Sequence, residues 1–128
     1  MSISIVIDTC VFISALRSRQ GASFKILSLI DSEAFEFHLS VALVLEYEAV
    51  AKRMSESIGL TESDIEDVID YMCATGKHRQ VHFLWRPSLK DPSDDFILEL
   101  AVESECNYIV THNLRDFEGT EKFKIKAV

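Results

Sequence analysis

The stretch Ile3-Ser4-Ile5-Val6-Ile7-Asp8-Thr9 decides the fold. Four of the five residues in Ile3–Ile7 are β-branched and no polar alternation interrupts them, which predicts a short strand buried on both faces. The strand stops at Asp8-Thr9, and the apolar segment 11–16 that follows predicts a buried helical turn or two. A strand that leads directly into a helix is typical of a parallel α/β sheet.

The alternation of strand and helix continues to the end of the chain. Short apolar or alternating runs predict further strands at Phe35–Leu39, 81–84, Tyr108–Val110 and 123–128. Between the strands, apolar residues recur at helical spacing in three segments. The first follows an N-cap at Ser40, the second follows a capping box at 61–64, and the third follows the loop 86–92 with Ser93 or Asp94 as its cap. We therefore predict one domain over residues 1–128, with three α/β/α layers and a mainly parallel sheet of four to five strands.

Composition limits the classes of function. Hydrophobic residues make up 48% of the 128 residues, so the chain can bury a core. Acidic residues outnumber basic ones by 21 to 13, a net charge of −8, which argues against a broadly basic nucleic-acid surface. The three cysteines form no CxxC pair, and neither a signal peptide nor a membrane-length apolar run is seen. These features predict a cytoplasmic protein without disulfides, structural zinc or membrane contact.

Acidic residues are concentrated where the carboxyl ends of parallel strands are expected. Ligands of open parallel sheets bind beyond these ends. The acids that fit this rule are Asp8, Glu46, Asp91, Asp94, Asp95 and Asp116. Carboxylates that converge repel one another, and Mg²⁺ or Mn²⁺ relieves the repulsion by taking oxygen ligands. Taken singly, each acid also fits a cap or a turn, whereas Glu48 and Glu99 fit solvated helix faces.

Four segments, in order, resemble the motifs of the PIN domain family. The first is the strand that ends in Asp8-Thr9 with the apolar helix after it. The others are 40–50 (SVALVLEYEAV), 91–101 (DPSDDFILELA) and 108–117 (YIVTHNLRDF). The resemblance is closest to bacterial VapC-like toxin components of toxin–antitoxin systems. It implies a Mg²⁺- or Mn²⁺-dependent ribonuclease that cleaves RNA, is inhibited by a cognate antitoxin and forms a homodimer.

The resemblance also assigns site residues. The acids that it implies as catalytic and metal-binding are Asp8, Glu46, Asp95 and Asp116. Asp95 is preferred to Asp94 because it precedes Thr111 by sixteen residues, although Asp94 could serve instead. The residues implied to line the site are Thr9, Asp94, Thr111 and Asn113.

Two positions depart from the family pattern. Cys10 stands where family members often have Asn, so we expect one hydrogen-bond partner to be missing from the site. Asn113 stands where some members have a further Asp, which leaves Asp116 as the fourth acid and predicts a weaker second metal position. Both departures are consistent with low activity.

Three functions remain open at this level. The first is the endoribonuclease, with RNA attracted by Lys52, Arg53, Arg86, Lys90 and Arg115. The second is a PIN-fold protein that is weakly active or inactive and acts by binding RNA or a protein partner. The third is a receiver-type phosphoacceptor, which ranks last because an early acidic pair and a late lysine after a strand are both missing.

Overall fold

A five-stranded parallel sheet forms the centre of the molecule. The computed structural model describes residues 3–18, 21–30, 34–81 and 95–128. The strands are β1 (Ile3–Ile7), β2 (Phe35–Leu39), β3 (Lys77–His78), β4 (Tyr108–Val110) and β5 (Lys126–Ala127). Their order is β3-β2-β1-β4-β5, and every neighbouring pair is parallel. The predicted parallel sheet, with its first strand in the interior, is confirmed.

Six α-helices in the described part of the chain cover this sheet. They are α1 (Thr9–Arg17), α2 (Ala22–Ser28), α3 (Val41–Arg53), α4 (Ser55–Ile58), α5 (Glu62–Thr75) and α6 (Asp95–Glu103). The strand order runs outward from β1 to β3 and then returns to β4. Because parallel crossovers are right-handed, this reversal places α1–α5 on one face and α6 on the other. The result is the predicted three-layer α/β/α arrangement.

Two strands differ from their predicted positions. The third strand was expected at 81–84, but β3 lies at Lys77–His78, and residues 82–84 fall outside the described residues. The last strand was expected over 123–128 and is confined to Lys126–Ala127, because a 3₁₀ helix over Thr120–Phe123 precedes it. β5 nevertheless pairs with β4 at the edge of the sheet, as expected.

The helix starts follow the predicted capping chemistry. The Ser40 hydroxyl accepts a hydrogen bond from the backbone N–H of Leu43 at 3.2 Å. Thr61 and Asp64 form a reciprocal capping box at the start of α5. The Ser40 cap fixes where α3 leaves the carboxyl edge of the sheet, which is the edge that carries the candidate site.

Helix α6 is enclosed on every side over its middle turn. Residues 97–101 are all buried, and five consecutive residues are more than one helical turn. Glu99 belongs to this run and is only 2% exposed, so the prediction of a solvated helix face was wrong for this residue. The physical reason is that α6 packs against the strands β1, β2 and β4 and also against α3, so more than one of its sides is covered.

No helix in the described ranges combines the length and the apolar character that a bilayer span requires.

Candidate active site

The register of the two central strands brings the first site residues together. Ile7 of β1 pairs with Val110 of β4, so Asp8 and Thr111 follow adjacent parallel strands at the same level. The backbone N–H of Asp8 donates to the carbonyl of Val110 at 2.9 Å, which extends the sheet by one further bond. The Thr111 hydroxyl donates to Asp8 Oδ2 at 2.7 Å. Asp8 and Thr111 therefore meet as the strand-end rule predicts.

Asp8 is a buried carboxylate, 7% exposed, that also caps α1. Its Oδ1 accepts a hydrogen bond from the backbone N–H of Thr9 at 2.8 Å. A short acidic side chain at this position satisfies a helix N-terminus and gains from its positive end. The cap and the Thr111 hydroxyl together fix the orientation of the carboxylate.

Cys10 supplies a third donor to Asp8. Its thiol donates to Asp8 Oδ2 at 3.3 Å and accepts from the backbone N–H of His112 at 3.4 Å. Burial, the largest cause, and the nearby charge of Asp8 raise the pKa of the thiol, which keeps the donor proton in place. The expected loss of a hydrogen-bond partner at Cys10 was therefore wrong: the thiol takes that place, although an S–H group is a weak donor.

Glu46 reaches the same place from helix α3. The Thr9 hydroxyl donates to Glu46 Oε2, so one residue holds both carboxylates: Asp8 through its N–H and Glu46 through its side chain. The next residue on α3, Tyr47, is fully buried and donates its hydroxyl to the carbonyl of Ile7. It also stacks on Phe12 of α1, with ring centroids 4.5 Å apart. Tyr47 thus fixes α3 against the end of β1, which positions Glu46.

The Tyr47 hydroxyl is a permanent donor. Burial, together with the charges of Asp8 and Glu46, raises the pKa of Tyr47 well above its ordinary value. Its role was not recognised in the sequence, where Tyr47 is one apolar position on a helical stripe. The only available signal was its place next to Glu46 in the second motif.

A polar cavity of about 540 Å³ opens in front of the two carboxylates. It is lined by residues of α1, of α3 and of the loop after β4, namely Asp8, Thr9, Cys10, Ile13, Ser14, Arg17, Glu46, Val50, Met54, His112 and Asn113. The predicted lining residues Thr9 and Asn113 are among them. Thr111 holds Asp8 from β4, and the backbone N–H of Asn113 donates to its hydroxyl at 3.0 Å.

The other predicted acids are placed differently. Asp116 lies in a 3₁₀ helix over Leu114–Phe117, is half-buried and does not line the cavity. Asp95 begins α6, and the helix that follows a parallel strand starts at the carboxyl edge, which puts this residue at the same edge of the sheet. Its side chain, like Asp94 and Asp91, lies outside what the structure describes.

The carboxylate oxygens that converge at this site are suitable ligands for a hard divalent cation. Asp8 and Glu46 offer carboxylate oxygens, and Mg²⁺ is often bound by one or two carboxylates with waters completing its octahedron. Within the described ranges, no group of three or more histidine, cysteine or acidic side chains could hold a metal ion. The two acids therefore fit a cation that keeps several waters rather than one enclosed by the protein.

Cations near the cavity differ from those expected from the sequence. Lys52 is paired with Glu66 at 2.8 Å and lies 4.0 Å from Glu48. Arg86 and Lys90 fall outside the described residues. Arg17, which the sequence did not single out, is the one lysine or arginine among the described residues that line the cavity.

The comparisons with known proteins agree with this geometry. The sequence profile of the PIN domain family matches residues 4–115, a range that includes three of the four acids predicted for the site, Asp8, Glu46 and Asp95, and ends one residue before Asp116. No curated protein matches the sequence. PIN domains are generally nucleases and typically use divalent metal ions. The chain, which carries the strand order, the paired carboxylates and the profile match over most of its length, belongs to the PIN domain family.

Proposed function

We propose that this protein is a Mg²⁺- or Mn²⁺-dependent endoribonuclease and that it acts as the toxin of a toxin–antitoxin pair. The observation that carries the proposal is the pairing of Asp8 and Glu46 through Thr9 at the mouth of a polar cavity. Oxygen ligands held in a fixed orientation beyond the ends of parallel strands are what a nuclease of this fold requires.

The residues of this chain would divide the work as follows. Asp8 and Glu46, with Asp95 from α6, would bind the cation, which supplies Lewis acidity to activate water and stabilise charge on a phosphodiester. Thr111, Cys10 and the N–H of Thr9 hold the Asp8 carboxylate in a fixed orientation where it lines the cavity. Asp116, which lies outside the cavity, would tune the site rather than bind the first cation.

The test is cleavage of a structured RNA by the purified protein with added Mn²⁺. Asp8→Asn and Glu46→Gln should each reduce cleavage by about a hundredfold or more, because each removes a carboxylate ligand but keeps the shape. Asp95→Asn should do the same, and chelation by EDTA should reproduce the loss. Asn can still cap α1, so the Asp8 variant should keep the fold.

The matched control is Asp70→Asn, since Asp70 is an exposed acid of α5 away from the cavity. It should cleave like the unmodified protein. Equal cleavage by the unmodified protein and the Asp8 variant would show that the activity is a contaminant and would refute the proposal.

The toxin role needs a separate test because it rests on the resemblance of the four motifs alone. Expression of the unmodified chain should arrest bacterial growth, expression of the Asp8→Asn variant should not, and a cognate antitoxin should relieve the arrest. The homodimer that the resemblance implies would be measured by light scattering at several protein concentrations.

A second function is favoured by one observation. In the described part of the chain only two of the four predicted acids line the cavity, and Asp116 is not one of them. A protein with this site could bind RNA or a protein partner without cleaving it. RNA binding that survives Asp8→Asn, with no cleavage by either protein, would establish this alternative.

A further inference from the structure

The cavity extends away from the two carboxylates along helices α1 and α3. On α1 its lining residues include Thr9, Ile13 and Arg17, and on α3 with its C-cap residue they include Glu46, Val50 and Met54. Within each helix these residues are four apart and therefore share one face. The two series run in the same order from the Thr9–Glu46 hydrogen bond, so the cavity is a groove between α1 and α3.

The groove is about 12 Å long, because eight residues separate its two ends on either helix and each adds about 1.5 Å. Its carboxylate end lies at the edge of the sheet. Its middle is apolar, with Ile13 buried and Val50 half-buried. Its far end carries Arg17 and the half-buried Met54. The groove thus leads from a site for a cation to a site for an anion across a hydrophobic floor.

Arg17 is available to a ligand. It lies in the last turn of α1 and is exposed, and no carboxylate in the described residues forms an ion pair with it. Lys52, the nearby lysine of α3, is already neutralised by Glu66 and Glu48. In a protein with a net charge of −8, one unpaired guanidinium in a groove determines where a polyanion can bind.

The dimensions favour a single strand. Packed helices lie about 8–10 Å apart, so the groove between their side chains admits one extended chain and not a duplex. Apolar contacts from Ile13, Val50 and Met54 suit the faces of bases in any sequence, and methionine adapts to different shapes. A guanidinium matches the geometry of a phosphate.

We propose that the groove between α1 and α3 binds a single strand of RNA leading away from the reacting phosphate, and that Arg17 positions this strand by binding one of its phosphates. The inference rests on the proposed nuclease function for the direction of the strand, but its binding part can be measured without cleavage. Arg17 is here a positioning residue.

The experiment measures binding of a short fluorescein-labelled single-stranded RNA by anisotropy, in EDTA, over a series of salt concentrations. Arg17→Ala should raise Kd about tenfold and lower the slope of log Kd against log salt by about 0.7, the value for one phosphate contact on a single strand. Arg17→Lys should keep the salt slope and recover part of the affinity. A blunt duplex of the same sequence should bind more weakly than the single strand.

The matched control is Lys25→Ala, which removes an exposed cation of α2 that does not line the groove. It should leave both Kd and the salt slope unchanged. With Mn²⁺ present, Arg17→Ala should raise KM with little change in kcat.

Unchanged affinity and salt slope in Arg17→Ala, an equal loss in Lys25→Ala, or no binding of single-stranded RNA by the unmodified protein would each overturn the inference. If the unmodified protein binds RNA through Arg17 but does not cleave it, the nuclease proposal fails and the groove assignment stands. If it cleaves RNA and Arg17→Ala has no effect on binding or KM, the groove assignment fails and the nuclease proposal stands.

Discussion

Thr9 is the residue that joins the two described carboxylates. Its backbone N–H donates to Asp8 and its hydroxyl donates to Glu46. These two hydrogen bonds restrict the rotation of both carboxylates. Small displacements of metal-binding groups lower the rate of catalysis strongly. A residue that orients two such groups should therefore affect the rate even though it does not bind the metal itself.

Replacing Thr9 with Val should therefore lower cleavage by about ten- to a hundredfold, as loss of a group that orients a ligand commonly does. Valine keeps the shape and the backbone N–H but not the hydroxyl. Thr9→Ser is the matched control, because serine keeps the donor, and it should retain most of the activity. Single-turnover cleavage with Mn²⁺ checks both, with circular dichroism to verify folding; equal activity of the two variants would contradict this role.

Tyr47 connects helix α3 to strand β1. Its ring packs on Phe12 and its hydroxyl satisfies the carbonyl of Ile7, one residue before Asp8. A buried carbonyl left without its donor costs about 1–3 kcal/mol. The same contact sets the height of α3 relative to β1 and hence the position of Glu46.

Tyr47→Phe should lower the free energy of unfolding by about 1–3 kcal/mol and should also reduce cleavage. Tyr108→Phe is the control, since the Tyr108 hydroxyl has no hydrogen-bond partner among the residues that the structure describes. It should change stability by less than about 0.5 kcal/mol. Urea titrations of the unmodified protein and both variants measure the free energies of unfolding. Equal stability of the two variants would contradict the role of the Tyr47 hydroxyl in holding α3 against β1.

Gly76 allows helix α5 to end directly against strand β2. A Cβ at this position would lie 2.8 Å from Leu39 Cδ1, 2.8 Å from Phe37 Cε2 and 3.0 Å from the carbonyl oxygen of Met72. Its φ of −80° is open to any residue, so the need for glycine is one of space rather than backbone conformation. The sheet and the helix layer approach too closely for a methyl group.

Gly76→Ala should consequently destabilise the protein by about 1–3 kcal/mol through overpacking, although glycine-to-alanine changes at permissive φ values usually stabilise. Gly21→Ala is the control, because its nearest described neighbour would be 3.7 Å from the new Cβ at a similar φ of −79°. Thermal melts should show a clear fall in Tm for the first variant only. A higher Tm for Gly76→Ala would refute the crowding argument.

At the scale of the whole molecule, the features that depend on topology could be predicted from the sequence. An uninterrupted β-branched strand before Asp8 fixes a central parallel strand, and parallel strands bring Asp8 and Thr111 to one edge whatever the details of packing. Features that depend on packing could not. These features can be predicted only when it is known which helix faces meet. They are the stacking of Tyr47 on Phe12, the exposure of Arg17 to the groove and the enclosure of Glu99.

The unfolding of the whole molecule should depend on pH through His38. This side chain is buried and accepts a hydrogen bond from Arg79 Nε at 3.3 Å on Nδ1. Burial, and then the charge of Arg79, lower the pKa of His38 below 6.5, with Glu36 opposing and Lys77 adding to the effect. Below pH 6.5 the unfolded chain takes up a proton that the folded chain resists, so stability falls as the pH drops.

We expect Tm to decrease on going from about pH 7 to about pH 5 and expect the decrease to be smaller in His38→Gln, which cannot take up that proton. His78→Gln, which changes an exposed histidine on β3, should keep the full pH dependence. Parallel melts of the three proteins measure the difference. If Tm depends on pH equally in all three proteins, groups other than His38 cause the dependence.

The contact between Asp8 and Thr111 spans 103 residues of chain. A ribosome adds about 5–20 residues per second, so Asp8 waits about 5–20 seconds after its own synthesis for the hydroxyl that orients it. During that interval β1 also lacks its neighbour β4, and for most of it the face that α6 covers remains bare. Under the proposed nuclease function, a nascent chain therefore carries an incomplete active site past the messenger and ribosomal RNA that surround it, and the site is complete only once β4 has been made.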